Sequence, residues 1–170
     1  MLKIMISEKQ LEDFIFYTDK TTLSDLGLDV DSKIKRQVKI GKYGIADMIS
    51  VKKDRTAKYN VPFLHFTIYE LKKDKIDIHT FLQSIRYAMG LKHFLSKVKN
   101  IPYDEYKITL KLIGRQVNLD NSFMYLQDLL VDNEFDTSSL MLDLYTYSVE
   151  GDVILFNRLF TNFEELNILS

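Results

Sequence analysis

Gly44-Ile45-Ala46-Asp47-Met48-Ile49-Ser50-Val51 and, after a charged interval, Leu64-His65-Phe66-Thr67-Ile68-Tyr69-Glu70-Leu71-Lys72 decide how this chain is read. Both runs place β-branched and aromatic residues in near-alternation, the period of half-buried strands. Successive side chains on a strand point to opposite faces, so Glu70 and Lys72 share one side while Leu71 turns into the core. Each run also holds a carboxylate among apolar neighbours, where an unpaired charge is costly. If the two strands pair, Asp47 and Glu70 bring oxygen ligands to one point, the donor set that Mg²⁺ or Mn²⁺ prefers. Lys72 would then orient or help activate a water beside the ion. The plainer alternatives are an outward-facing aspartate near a sheet edge for Asp47 and a cross-strand salt bridge for Glu70 and Lys72.

On the N-terminal side, Ser7-Glu8-Lys9-Gln10 reads as a helix start with a capping box, followed by the apolar stripe Leu11, Phe14 and Ile15. Asp25 to Asp31 reads as a loop or short turn, Ile34 to Ile40 as a strand, and Gly41 to Gly44 as the turn into the first quoted strand. Lys52 to Val61 is charged and irregular and is expected to form a loop before the strand Phe63 to Leu71. Asp77 to Val98 carries Ile78, Phe81, Leu82, Ile85, Ala88, Met89, Leu91 and Leu95 at helical spacing, which predicts the main helix on the sheet. Asn100-Ile101-Pro102 ends it. Tyr106 to Ile113 reads as a strand, Asn121 to Val131 as a second long helix, and Leu140 to Val149 as a further strand. Glu150-Gly151-Asp152 then turns the chain into Val153 to Leu159. This order predicts an α/β (α+β) architecture, a mixed sheet flanked by helices.

The 170 residues, 46% apolar and 12% aromatic, suit one compact domain over residues 1–170 with a sizeable core. No run approaches a membrane span and the N-terminus lacks a signal sequence, so a soluble, cytoplasmic protein is expected, with no membrane partner. The absence of cysteine excludes disulfides and thiolate metal sites, and three scattered histidines offer no zinc-like cluster. Any metal must rest mainly on carboxylates. The net charge of −1 hides an asymmetry: Lys33 to Lys99 holds sixteen Lys and Arg against five acids, whereas Leu119 to Ser170 holds ten acids against Arg158. A basic surface around two carboxylates would attract a phosphate backbone. Ordinary solvated faces that cluster only in sequence are the alternative.

Three stretches, Arg36-Gln37-Val38-Lys39-Ile40-Gly41-Lys42-Tyr43-Gly44-Ile45-Ala46-Asp47, then Ile68-Tyr69-Glu70-Leu71-Lys72, then Gln83-Ser84-Ile85-Arg86-Tyr87, taken together resemble the PD-(D/E)XK nuclease superfamily, in particular its RecB-like and NucS-like endonuclease domains. The resemblance runs over roughly residues 7 to 160. Ala46 stands where the name-giving proline would be, a departure that many relatives share. The resemblance implies a restriction-endonuclease-like core and Mg²⁺- or Mn²⁺-dependent hydrolysis of DNA phosphodiesters in repair, restriction or mobile-element processing. It implies that Asp47, Glu70 and the Leu71 carbonyl hold the ion and that Lys72 positions the attacking water. Gln83, one helical turn from Tyr87, would point back at the ion. Glu12 is the candidate for the helical carboxylate. Glu8, one turn earlier, is also possible, but a first-turn acid already has a structural explanation in the helix dipole.

Arg86, Tyr87, Lys42 and Lys73 are the candidate substrate contacts. Their alternatives are a solvated Arg86, a Tyr87 packed at the core edge and a surface Gln83. His79 could line the same cleft, while His65 and His93 read as structural. The aromatic C-terminal end, with Phe123, Tyr125, Tyr145, Tyr147, Phe156, Phe160 and Phe163, lies in an acidic background that argues against contact with nucleic acid. Core packing or a protein interface is expected there. A second reading of the whole chain is a catalytically silent module that keeps the nuclease fold to bind DNA or a protein. Its partners would be a second copy or a larger DNA-processing complex.

Overall fold

A computed structural model describes residues 5–55, 62–118 and 140–161. The first described element is α1 (Glu8–Tyr17), whose capping box forms as its sequence predicts: the Gln10 N–H donates to Ser7 Oγ at 3.1 Å and the Ser7 N–H to Gln10 Oε1 at 2.8 Å. A short α2 (Lys20–Asp25), capped by Asp19, precedes the expected loop and shares only Asp25 with it. Gly27 follows at φ +94°, and a Cβ there would lie 2.1 Å from the Phe156 carbonyl oxygen. Glycine therefore lets this loop reach the sheet edge, where the Phe156 N–H donates to the Leu26 carbonyl at 2.8 Å.

The strands are β1 (Ile34–Lys39), β2 (Ile45–Arg55), β3 (Pro62–Leu71), β4 (Lys75–Ile76), β5 (Tyr106–Gly114), β6 (Gln116–Val117), β7 (Leu140–Glu150) and β8 (Val153–Thr161). Six of them form one mixed sheet in the order β1-β2-β3-β5-β7-β8, while β4 and β6 make a two-stranded ribbon. β1, β2 and β3 form an antiparallel meander. β5 then runs parallel to β3, β7 parallel to β5, and β8 closes the edge antiparallel to β7. The parallel strand β5 is buried on both faces, which explains its nearly continuous apolar run Leu110, Leu112 and Ile113.

Helix α3 (Ile78–His93), capped by Asp77, provides the crossover from β3 to β5 and continues into a π-helical turn at Phe94–Val98. It buries Phe81, Tyr87, Ala88, Leu91 and Leu95 against Ile68, Leu110 and Leu112. On the other face α1 and α2 bury Leu11, Ile15 and Leu23 against Met48, Tyr69, Leu71 and Ile113. The result is a mixed α/β fold with helices on both faces of the sheet.

Two expectations change. Leu82 and Met89, read as core, are 50% and 62% exposed, because the buried stripe instead runs through Phe81, Ser84, Tyr87, Ala88 and Leu91. The loop expected from Lys52 is strand over its first four residues: Lys52 to Arg55 continue the hairpin, pairing with His65 to Pro62. Asp54 supports this charged extension by accepting from Lys52 at 3.4 Å and His65 at 2.9 Å. The expected helix Asn121 to Val131 lies outside the described residues.

Candidate functional site

The ladder between β2 and β3 ends at the pair Met48–Tyr69, so Asp47 and Glu70 stand together just past its last rung. Here the Leu71 N–H, turned toward β2, donates to Asp47 Oδ2 at 2.9 Å in place of a backbone carbonyl. Asp47 is thereby fixed by the strand it faces. Lys72 prolongs the parallel pairing, its N–H donating to the Ile113 carbonyl at 2.8 Å. Its ammonium donates to Glu70 Oε1 at 2.9 Å, an ion pair within one strand rather than across two. Glu70 is only 1% exposed, and its second oxygen, Oε2, is buried with no hydrogen-bond partner.

Two carboxylates beside one ammonium leave this strand end short of positive charge. Burial pushes the Glu70 carboxyl up to about 7; the Asp47 charge adds to the rise and Lys72 opposes it. Asp47 also rises, chiefly through burial, against the pull of the Leu71 N–H and Lys72, with Glu12 and Glu8 pushing it further up. Burial acts to lower the Lys72 ammonium, but Glu70, Glu8 and Asp47 outweigh it and the net shift is upward. Lys72 therefore stays protonated. An oxygen-seeking divalent cation would relieve the repulsion and give the orphaned Glu70 Oε2 a partner, so these residues fit such an ion. Among the described residues no three carboxylate or imidazole groups already converge as a complete ligand set.

An open cleft of about 510 Å³ adjoins this strand end, with Glu8, Glu12, Gln37, Asp47, Leu71 and Lys73 on its walls. Glu70 and Lys72 lie outside its lining. Glu12 is buried and accepts from Arg36 Nε and from Gln37 Nε2, the latter at 3.0 Å. Arg36 is itself fixed by Asp13 at 2.6 Å and by the Phe16 ring, whose centroid lies 4.9 Å away. Glu8 is exposed and accepts from the Lys73 N–H at 3.4 Å. Both helical carboxylates thus face the cleft that holds Asp47, one locked and one open to solvent. Arg36 and Gln37 supply parts of this network that no periodicity in the sequence marks.

The residues of α3 make contacts of their own. Gln83 Nε2 donates to the Tyr87 hydroxyl at 2.7 Å, and Tyr87 is buried. A Cβ on Gly44, which sits at φ +120° just before β2, would come within 2.8 Å of the Tyr87 ring. Arg86 is exposed, 5.7 Å from the centroid of that ring. Among the described residues no hydrogen bond joins Gln83, Arg86 or Tyr87 to Asp47, Glu70 or Lys72. Lys42 is exposed, its ammonium 5.6 Å from the centre of the Tyr43 ring, and His79 is exposed at the start of α3. His65 is held by Asp54, and burial lowers its imidazole. Tyr145, Tyr147 and Phe156 pack in the core on the α1 face. Phe123, Tyr125, Phe163 and the Phe160 side chain fall outside the described parts.

No family model, curated protein or solved structure matches this chain.

Proposed function

We propose that the chain is a Mg²⁺- or Mn²⁺-dependent nuclease that hydrolyses DNA phosphodiesters, in the manner of the PD-(D/E)XK enzymes it resembles. The observation that carries the reading is Glu70: a buried carboxylate with one oxygen on Lys72, the other unpartnered, beside a second carboxylate that its neighbouring strand holds in place. The meander β1-β2-β3 followed by a helical crossover to the parallel β5 is an arrangement on which such a site can be built.

Asp47 and Glu70 would hold the ion. In an extended strand the N–H and C=O of one residue face the same edge, so the Leu71 carbonyl would join them from the edge that its N–H marks. Glu12, and Glu8 beside it, would complete the acidic set directly or through water. When bound, the ion lowers the pKa of its water and neutralises charge developing on the phosphate. The protonated Lys72, held by Glu70, orients the attacking water and donates to a phosphate oxygen. Lys73 on the cleft wall and the exposed Arg86 and Lys42 offer contacts along the backbone, while Gln83 and Tyr87 support the strand end through Gly44.

A silent nuclease-fold module is the second reading, and it rests on the acidic, aromatic C-terminal third of the chain. Metal binding separates the two. Mn²⁺ should raise the melting temperature of the wild type, and Asp47→Asn or Glu70→Gln should abolish the rise, while Lys72→Ala should keep the fold and lose cleavage. A wild type whose melting is indifferent to Mn²⁺ would turn the assignment toward the silent module.

A further inference from the structure

Two residues other than glycine adopt positive φ among the described residues, Asn100 and Gln37. Asn100, at φ +51°, follows the end of a helical segment, where asparagine in this conformation is ordinary. Gln37, at φ +48°, sits inside β1, and its neighbours Arg36 and Val38 pair with Met48 and Ala46. It therefore stands opposite Asp47. A residue other than glycine persists in this region only where its surroundings over-determine it, and such residues cluster at ligand sites.

What over-determines Gln37 is its side chain: Nε2 donates to Glu12 Oε2 at 3.0 Å while Arg36 Nε donates to Oε1. Each Glu12 oxygen takes one donor from this side and keeps lone-pair capacity for the cleft. Outer hydrogen bonds of this kind orient the carboxylates of metal sites. Glu12, Gln37 and Asp47 line the same cleft. We propose that Gln37 is a positioning residue for the cation site, its strained backbone turning its amide onto Glu12 so that this carboxylate faces Asp47. The inference rests on the reading that Asp47 takes part in binding a divalent cation.

Gln37→Asn tests it. Asparagine accepts left-handed backbone more readily than glutamine, yet is one methylene too short to keep the bond to Glu12. Titration calorimetry with Mn²⁺ on the whole chain, read beside the melting temperature of the metal-free protein, separates strain from orientation. The expected result is a melting temperature unchanged or higher and a Mn²⁺ affinity weaker by about ten-fold or more. Unchanged affinity overturns the proposal, and so does a parallel loss of stability and affinity, which a purely structural residue would give. A wild type that binds no Mn²⁺ overturns the cation site together with this proposal. A wild type that binds, with a variant that binds equally well, overturns the role of Gln37 alone.

Discussion

Glu70 carries a charge that its surroundings do not balance, and this makes the metal-free protein sensitive to pH. Its carboxyl sits at about 7 in the fold against an ordinary 4.5, so between those values the folded state holds a proton that the unfolded chain has released. The stability this contributes is fully present below about pH 4.5, declines as pH rises, and is gone above about 7. It amounts to no more than about 3 kcal/mol. Asp47 is raised as well and acts in the same direction. Urea unfolding without metal at pH 5 and pH 8 should therefore show a midpoint that falls with pH, and Glu70→Gln should flatten that dependence. An equal fall in the variant would mean that Glu70 is not the titrating group. Metal binding follows the opposite trend, because the ligand carboxylates must be deprotonated to take the ion.

At the scale of elements, the join between α3 and β2 rests on Gly44. A side chain there would combine a left-handed backbone with a contact on the buried Tyr87 ring. Gly44→Ala should cost about 1–3 kcal/mol, read as a lower urea midpoint. An unchanged midpoint would mean that α3 does not clamp the start of β2 through this contact. Period-2 alternation made β1, β2 and β3 legible, and the capping box made the start of α1 legible, because both are local signals. The ends of the hairpin were not legible: Lys52 to Arg55 look like loop by charge, and only cross-strand partners such as His65 keep them in register. Leu82 and Met89 carried the right residue type at the wrong angle on α3. The candidate site follows from the sequence as a set of residues and not as a geometry. That the Leu71 N–H would seek Asp47 depends on where the β2–β3 ladder stops, and that Arg36 and Gln37 would lock Glu12 depends on how α1 lies across β1. Neither fact has a period or a motif.

Across the whole molecule, the meander that carries Asp47 and Glu70, together with α3, falls in the part of the chain where sixteen basic residues stand against five acids. Arg36 and Lys72 are spent on carboxylates, whereas Lys42, Lys73 and Arg86 remain exposed. Under the proposed function these exposed cations would meet a polyanionic substrate. No helix among the described residues is long and apolar enough to cross a membrane. The acidic C-terminal third contributes Tyr145, Tyr147 and Phe156 to the core, so these three rings serve packing rather than base stacking. The proposed function requires the end of the β2–β3 ladder to be a metal-dependent phosphodiesterase centre. Its most direct test is incubation of supercoiled, linear and single-stranded DNA with pure protein in Mg²⁺ or Mn²⁺, beside Asp47→Asn and an EDTA control. The expected result is cleavage by the wild type that disappears with EDTA and in the variant. DNA left intact by the wild type in both ions, or cut equally well by Asp47→Asn, would contradict it.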